Sequence, residues 1–157
     1  MITIAPISDP TVLPAVCEIL HIAFRAHDGR IDPPSAAHRE TPETLAAKLD
    51  VETLLVARDE TDVAVGCIFF RRESEDEGYI GRLAVHPDQQ GKGIARDLLL
   101  ASINHARALG VDRLGLGVRI ELTENIAFFQ RYGFAITRED RHEGFDRTTN
   151  HHMELVL

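Results

Sequence analysis

Apolar residues recur three and four positions apart early in the chain. Val12, Val16, Ile19, Leu20, Ala23 and Phe24 form such a stripe over residues 10–25, which predicts an amphipathic helix. Residues 2–5 precede it as a short strand, and a loop through Asp28, Gly29, Arg30, Ile31, Asp32, Pro33 and Pro34 follows it. A second helix starts near Thr41, with Pro42 in its first turn, and ends before Val51. The period then changes. Residues 53–58 and 63–71 are β-branched and aromatic runs joined by the polar turn Asp59-Glu60-Thr61-Asp62, which predicts a hairpin. Residues 79–85 form a third strand of this run, stopped by Pro87. The helical period returns over residues 93–109, with Gly110 as its stop. A strand over 113–118, a helix over 124–132 and strands over 134–138 and 153–157 complete the chain. Strand, long helix, strand in that order predicts a βαβ crossover within an otherwise antiparallel sheet, a mixed α/β fold.

Composition narrows the class. A chain of 157 residues, 44% hydrophobic and without a Ser/Gly/Pro linker or internal repeat, suits a single domain spanning residues 1–157. Twenty-five acidic residues against seventeen basic ones give a net charge of -8 with no Lys/Arg run, which argues against nucleic acid as a partner. Cys17 and Cys67 fall in a predicted helix and a predicted strand, so buried free thiols in a reducing compartment are expected. The first basic residue is Arg25, and the longest apolar run, residues 63–70, is too short to cross a bilayer. The expectation is a cytoplasmic protein with no membrane partner. Eight histidines raise the question of a metal, but no HxxxH or HExxH pair occurs, and His151 and His152 would point to opposite faces of a strand. No metal is expected.

The segment richest in chemistry is Arg82-Leu83-Ala84-Val85-His86-Pro87-Asp88-Gln89-Gln90-Gly91-Lys92-Gly93-Ile94-Ala95-Arg96, where a strand ends, glycines turn the chain and a long helix opens. A helix N-terminus presents unpaired N–H groups and a partial positive charge. Gly91 and Gly93 let an anion approach those amides, and Lys92 adds charge, so the turn suits a phosphate or pyrophosphate; a plain helix start is the alternative. GxGxxG fails, because its last glycine would fall at Arg96, and GxxxxGK[ST] does not occur. Gly115 and Gly117 lie inside a strand and predict close packing over the backbone.

Gln90-Gly91-Lys92-Gly93-Ile94-Ala95 resembles the [QR]-x-x-G-x-[GA] signature of the GCN5-related N-acetyltransferase (GNAT) superfamily, and Leu83-Ala84-Val85-His86-Pro87 resembles the end of its fourth strand. Glu124-Asn125-Ile126-Ala127-Phe128-Phe129-Gln130-Arg131-Tyr132-Gly133-Phe134 is similar to its second motif, a helix ending in a Gly-Phe pair. The resemblance implies the GNAT fold, a mixed and mostly antiparallel sheet of about seven strands with about four helices and splayed fourth and fifth strands. It implies acetyl-CoA as donor and direct acetyl transfer to a primary amine, with Gly91, Lys92, Gly93, Ile94, Ala95 and Arg96 at the pyrophosphate beside Gln90. By the same resemblance Leu83, Ala84 and Val85 hold the pantetheine arm and polarise the thioester, and Asn125 and Phe129 line the donor site. A homodimer is a possible arrangement on the same ground.

Phe129 departs from the pattern: many members carry a tyrosine there that protonates the leaving thiolate, and phenylalanine has no proton to give. Tyr132, nearly one helical turn on, is a substitute or a packing residue. An amine acceptor must lose a proton before it attacks. Glu77 and Tyr79 at the start of the strand, His86 after it, and Asp28 or Asp32 in the first interhelical loop are the candidates, with capping before Pro87 the alternative for His86. The loop over 29–35 and the charged hairpin over 138–150 either line the acceptor side or are ordinary connections. A small-molecule amine, a protein or peptide amine, and acyl-CoA binding without catalysis are the three functions that follow.

Overall fold

The Asp9 carboxylate accepts a hydrogen bond from Thr11 N–H and starts a 3-10 turn over Pro10–Val12. The turn leads into helix α1, Leu13–Arg25, so α-helix begins three residues later than the apolar stripe predicts. Thr41 caps α2, Pro42–Lys48, through reciprocal hydrogen bonds with Thr44. These elements belong to a computed structural model that describes residues 1–157. The long helix is α3, Ile94–Ala108, and α4 is Thr123–Arg131.

Seven strands form one sheet: β1 Thr3–Pro6, β2 Glu52–Arg58, β3 Ala64–Arg72, β4 Glu77–Val85, β5 Arg113–Arg119, β6 Ala135–Asp140 and β7 Asn150–Val156. Their order is β1-β2-β3-β4-β5-β7-β6, and every adjacent pair is antiparallel except β4 and β5. That parallel pair is joined through α3, the predicted crossover. The expected mixed sheet of about seven strands and four helices is the observed one. Two strands start earlier than their apolar runs: β4 at Glu77 and β7 at Asn150, three residues ahead of Met153.

Alternation along the central strands builds a core on each face. Leu55, Ala57, Ile68, Phe70 and Ile80 meet Ile94, Leu98, Leu99 and Ile103 of α3. Leu54, Val56, Cys67 and Phe69 meet Val16, Ile19 and Leu20 of α1. Each fully buried aliphatic or aromatic side chain contributes roughly 1.5–3 kcal/mol. The predicted face of α1 is therefore the one that anchors it, and the buried face of α3 fixes where its N-terminus meets the end of β4.

Candidate active site

The turn from β4 into α3 is shaped by local polar contacts. His86 Nδ1 accepts from Asp88 N–H at 3.1 Å and caps a 3-10 turn, Pro87–Gln89; the capping alternative for His86 is the one observed. Gln90 Nε2 donates to the Val85 carbonyl at 3.3 Å and ties the turn back to the strand. Gly91 and Gly93 then take φ of +80° and +81°, a region that disfavours other residues. As a result the N–H groups of Gly91, Lys92, Gly93, Ile94, Ala95 and Arg96 donate to no protein acceptor. The first helical bond is from Asp97 N–H to the Gly93 carbonyl, at 3.0 Å. Six successive free donors thus surround the positive end of α3, more than the four orphans of an ordinary helix start. Lys92 is exposed beside them, and the Arg96 guanidinium lies across Gly93, where an added Cβ would sit 2.8 Å from it.

A wedge opens next to this turn. β4 and β5 pair only at Glu77–Arg113, Gly78–Leu114 and Tyr79–Gly115, although both strands continue beyond those rungs. β4 also bulges against β3: the register slips between Cys67 and Phe69, and Arg82 sits in the bulge at φ +54°. A non-glycine residue there costs roughly 1–2 kcal/mol. His86 N–H donates to Val65 on the β3 side at 2.8 Å, so strand alternation turns the N–H groups of Val85 and Leu83 the other way, toward the wedge. The Ala84 side chain is buried on the α1 face.

The connection from α1 to α2 crosses the wedge. At the β5 side Arg119 donates to the carbonyls of Pro33 and Pro34, at 2.6 and 3.3 Å. At the β4 side Arg82 Nε meets the Glu40 carboxylate at 3.2 Å. Arg30 pairs with Glu124 of α4 at 2.6 Å, and Arg147 donates to the Asp32 carbonyl at 3.2 Å. The loop over 29–35 and the hairpin over 138–150 are therefore brought together. Asp28 is bound by His38 at 2.9 Å and Asp32 by Arg147, so both acidic candidates of this loop are paired.

Among the remaining candidates, Tyr79 stands at the apex of the wedge, on the last β4–β5 rung, where the strands begin to part. Its ring lies under the Arg71 guanidinium, 4.2 Å away, and stacks near His152 at 6.4 Å. Its hydroxyl passes over Gly117, where an added Cβ would lie 3.0 Å from Tyr79 Oη and 2.7 Å from Asn150 Nδ2. Gly115 is covered in the same way by the His152 imidazole, which is the close packing the two glycines predict. Burial raises the Tyr79 pKa, with Arg71 opposing, so the phenol is neutral near pH 7. Glu77 is two residues away at the closed end of the pair, bound to Arg113. Tyr132 ends α4 and packs on Phe128 at 5.2 Å against the α3-side core, on the opposite face of the sheet. Phe129 lies between Phe128 and Phe134. Asn125 is half-buried, and its side-chain amide has no protein partner.

Sequence reasoning missed Asn150, His152 and Glu154, which with Arg71 and Tyr79 line a polar cavity of about 360 Å³ on this face. His152 Nε2 lies 3.3 Å from the Glu154 carboxylate. Two strand glycines opposite alternating polar residues were the available signal.

The profile of the Acetyltransferase (GNAT) family matches residues 13–134. The chain belongs to that family. A mycothiol acetyltransferase of Propionibacterium freudenreichii subsp. shermanii is 38% identical over 94 residues, 58% of this chain and 30% of that protein. An IAA acetyltransferase of Azospirillum brasilense is 33% identical over 107 residues, 68% of this chain and 69% of that protein. The chain spans 30–40% of the length of the mycothiol acetyltransferases it matches. A GNAT family acetyltransferase from Elizabethkingia anophelis, solved with acetyl-CoA bound, shares the fold with a TM-score of 0.74 at 23% identity, covering 99% of this chain and 98% of that one.

Proposed function

We propose that this chain binds acetyl-CoA and transfers its acetyl group directly to the primary amine of a small molecule. The observation that carries the reading is the row of six unpartnered N–H groups on residues 91–96, which together with Lys92 and Arg96 suits the pyrophosphate. Gln90 braces that turn. The Leu83 and Val85 amides are the donors for the pantetheine arm and the thioester oxygen, with Ala84 between them, and Asn125 and Phe129 flank the arm from α4. Backbone donors already in place favour the tetrahedral oxyanion over the ground-state carbonyl.

On this reading the neutral Tyr79 hydroxyl relays a proton from the substrate ammonium to water, accepting on its oxygen as it gives up its own. Glu77, fixed by Arg113, and Tyr132, on the far face, are lesser candidates. The amine nitrogen forms the new C–N bond as the C–S bond breaks, and the sulfur leaves as thiolate. With Phe129 at the usual acid position, the proton for that thiolate comes from the nitrogen that has attacked, which must shed one to become the amide, or from water. The α1–α2 connection strapped across the wedge supports a small acceptor over a peptide, which needs a groove open at both ends. The acetyl-CoA bound to the E. anophelis protein supports acetyl-CoA as donor. Phe129 also favours a second reading, acyl-CoA binding without transfer.

Thermal unfolding with acetyl-CoA, CoA and NAD tests the donor: stabilisation by the first two and not by NAD is expected. Thiol release from acetyl-CoA across alkylamines, amino acids, amino sugars and short peptides tests the acceptor. Release with peptides alone would overturn the small-molecule assignment, and binding without release would favour the second reading.

A further inference from the structure

Arg82 is an unusual residue for its backbone. Bulge positions with positive φ are normally filled by glycine, yet here an arginine holds φ +54° in the stretch that aims the Leu83 and Val85 amides at the wedge. Its guanidinium makes one side-chain hydrogen bond, to Glu40, a residue 42 positions earlier in the chain. Glu40 is itself built in. Its carboxylate is 8% exposed, accepts from the Thr44 hydroxyl at 2.9 Å and lies 3.6 Å from Lys48 Nζ. Its carbonyl accepts from the Cys17 thiol at 3.3 Å and lies 2.8 Å from His21 Nε2. Helix α1 thus fixes the Glu40 backbone and α2 its carboxylate, and the carboxylate holds Arg82. On the other side of the bulge the Cys67 thiol donates to the Arg82 carbonyl at 3.5 Å. A buried carboxylate is retained at a desolvation cost, which a neutral side chain in the same packing would avoid.

We infer that Glu40 is a positioning residue for acetyl transfer: through its ion pair with Arg82 it holds the β4 bulge in the left-handed turn that points the Leu83 and Val85 N–H groups into the wedge. Glu40 touches no substrate and acts only through Arg82. The inference rests on the donor site proposed above and adds to it a side-chain clamp that sets the backbone donors.

The test follows amide resonances of ¹⁵N-labelled protein with acetyl-CoA and with CoA as probes. Both ligands shift the signals of residues 91–96, and acetyl-CoA shifts Leu83 and Val85 further, through its carbonyl. In Glu40→Gln, which keeps the bond from Thr44 and the packing, the acetyl-dependent part at Leu83 and Val85 falls roughly twofold or more, while residues 91–96 respond as before. Arg82→Ala gives the same loss. Arg82→Gly restores the response, because glycine takes positive φ without a guanidinium to hold it. Adding Glu40→Gln to Arg82→Gly then changes nothing more. An undiminished response in Glu40→Gln, or an Arg82→Gly as defective as Arg82→Ala, overturns the inference and leaves the donor site standing. Silence at residues 91–96 with both ligands overturns the donor site and this inference together.

Discussion

The β4–α3 turn and the Tyr79 face lie on two sides of one wedge and are made of different material. At the turn the polar groups are backbone amides, freed by two glycines at positive φ and by the start of a helix. At the Tyr79 face they are side chains from β3, β4 and β7, held by ion pairs and by stacking over Gly115 and Gly117. A backbone site depends on chain geometry and tolerates change in most side chains. A side-chain site is re-specified by single substitutions, so a family can keep one donor and vary its acceptor. The comparison can be broken at either end.

The largest effect is expected at the turn. Aspartate tolerates the left-handed region better than most residues, and a Cβ at position 91 meets nothing within 4 Å, so Gly91→Asp should keep the fold. Its carboxylate, however, would stand among the amides proposed to hold the pyrophosphate. At close range such repulsion is worth a few kcal/mol, so acetyl-CoA should bind on the order of 100-fold more weakly in calorimetry. Unchanged affinity would remove the anion from this turn.

Tyr79→Phe breaks the other end. It deletes one hydroxyl and keeps the ring under Arg71 and beside His152. Turnover with any amine that reacts should fall about tenfold, less than the usual hundredfold or more for a positioned proton-transfer group because water reaches the half-buried site, while acetyl-CoA affinity stays the same. Equal turnover in the variant would leave Tyr79 as packing. A smaller effect is expected at Arg119, which straps the α1–α2 connection to β5. Arg119→Ala should raise the acceptor KM roughly threefold to fivefold without changing acetyl-CoA affinity, since it loosens one side of the cover only.

The same contrast explains what the sequence made legible. Glycine spacing, a polar turn after the strand and a 3.6-residue period mark the turn and α3, because all three are local and the free donors there belong to the backbone. The Arg82 bulge left only Gly81 as a local mark: the positive φ falls on the arginine beside that glycine and is matched by a carboxylate from the α1–α2 connection. β7 was read from Met153 onward because Asn150 and His152 are polar, yet they are polar as strand residues facing Tyr79 across two glycines. In the sequence Asp28 and Asp32 are free acidic residues of a loop, and only the fold gives them His38 and Arg147 as partners.

Tyr79 also leaves a thermodynamic trace that needs no acceptor, and it is the smallest effect. Burial raises its pKa in the folded protein above that of an exposed tyrosine, with Arg71 acting in the opposite sense. A raised folded-state pKa means that the unfolded chain releases the proton first. The stabilising contribution is therefore fully present below the unfolded value and is lost as pH rises through the folded one. Tyr79→Phe has no such group to ionise. Urea unfolding of the two proteins between about pH 9 and about pH 11 should show the difference in stability moving toward the variant as pH increases. A difference constant across that range would mean that the phenol ionises as readily in the folded protein as in the unfolded chain, and the Tyr79 face would then be as open to water as the turn on the other side of the wedge.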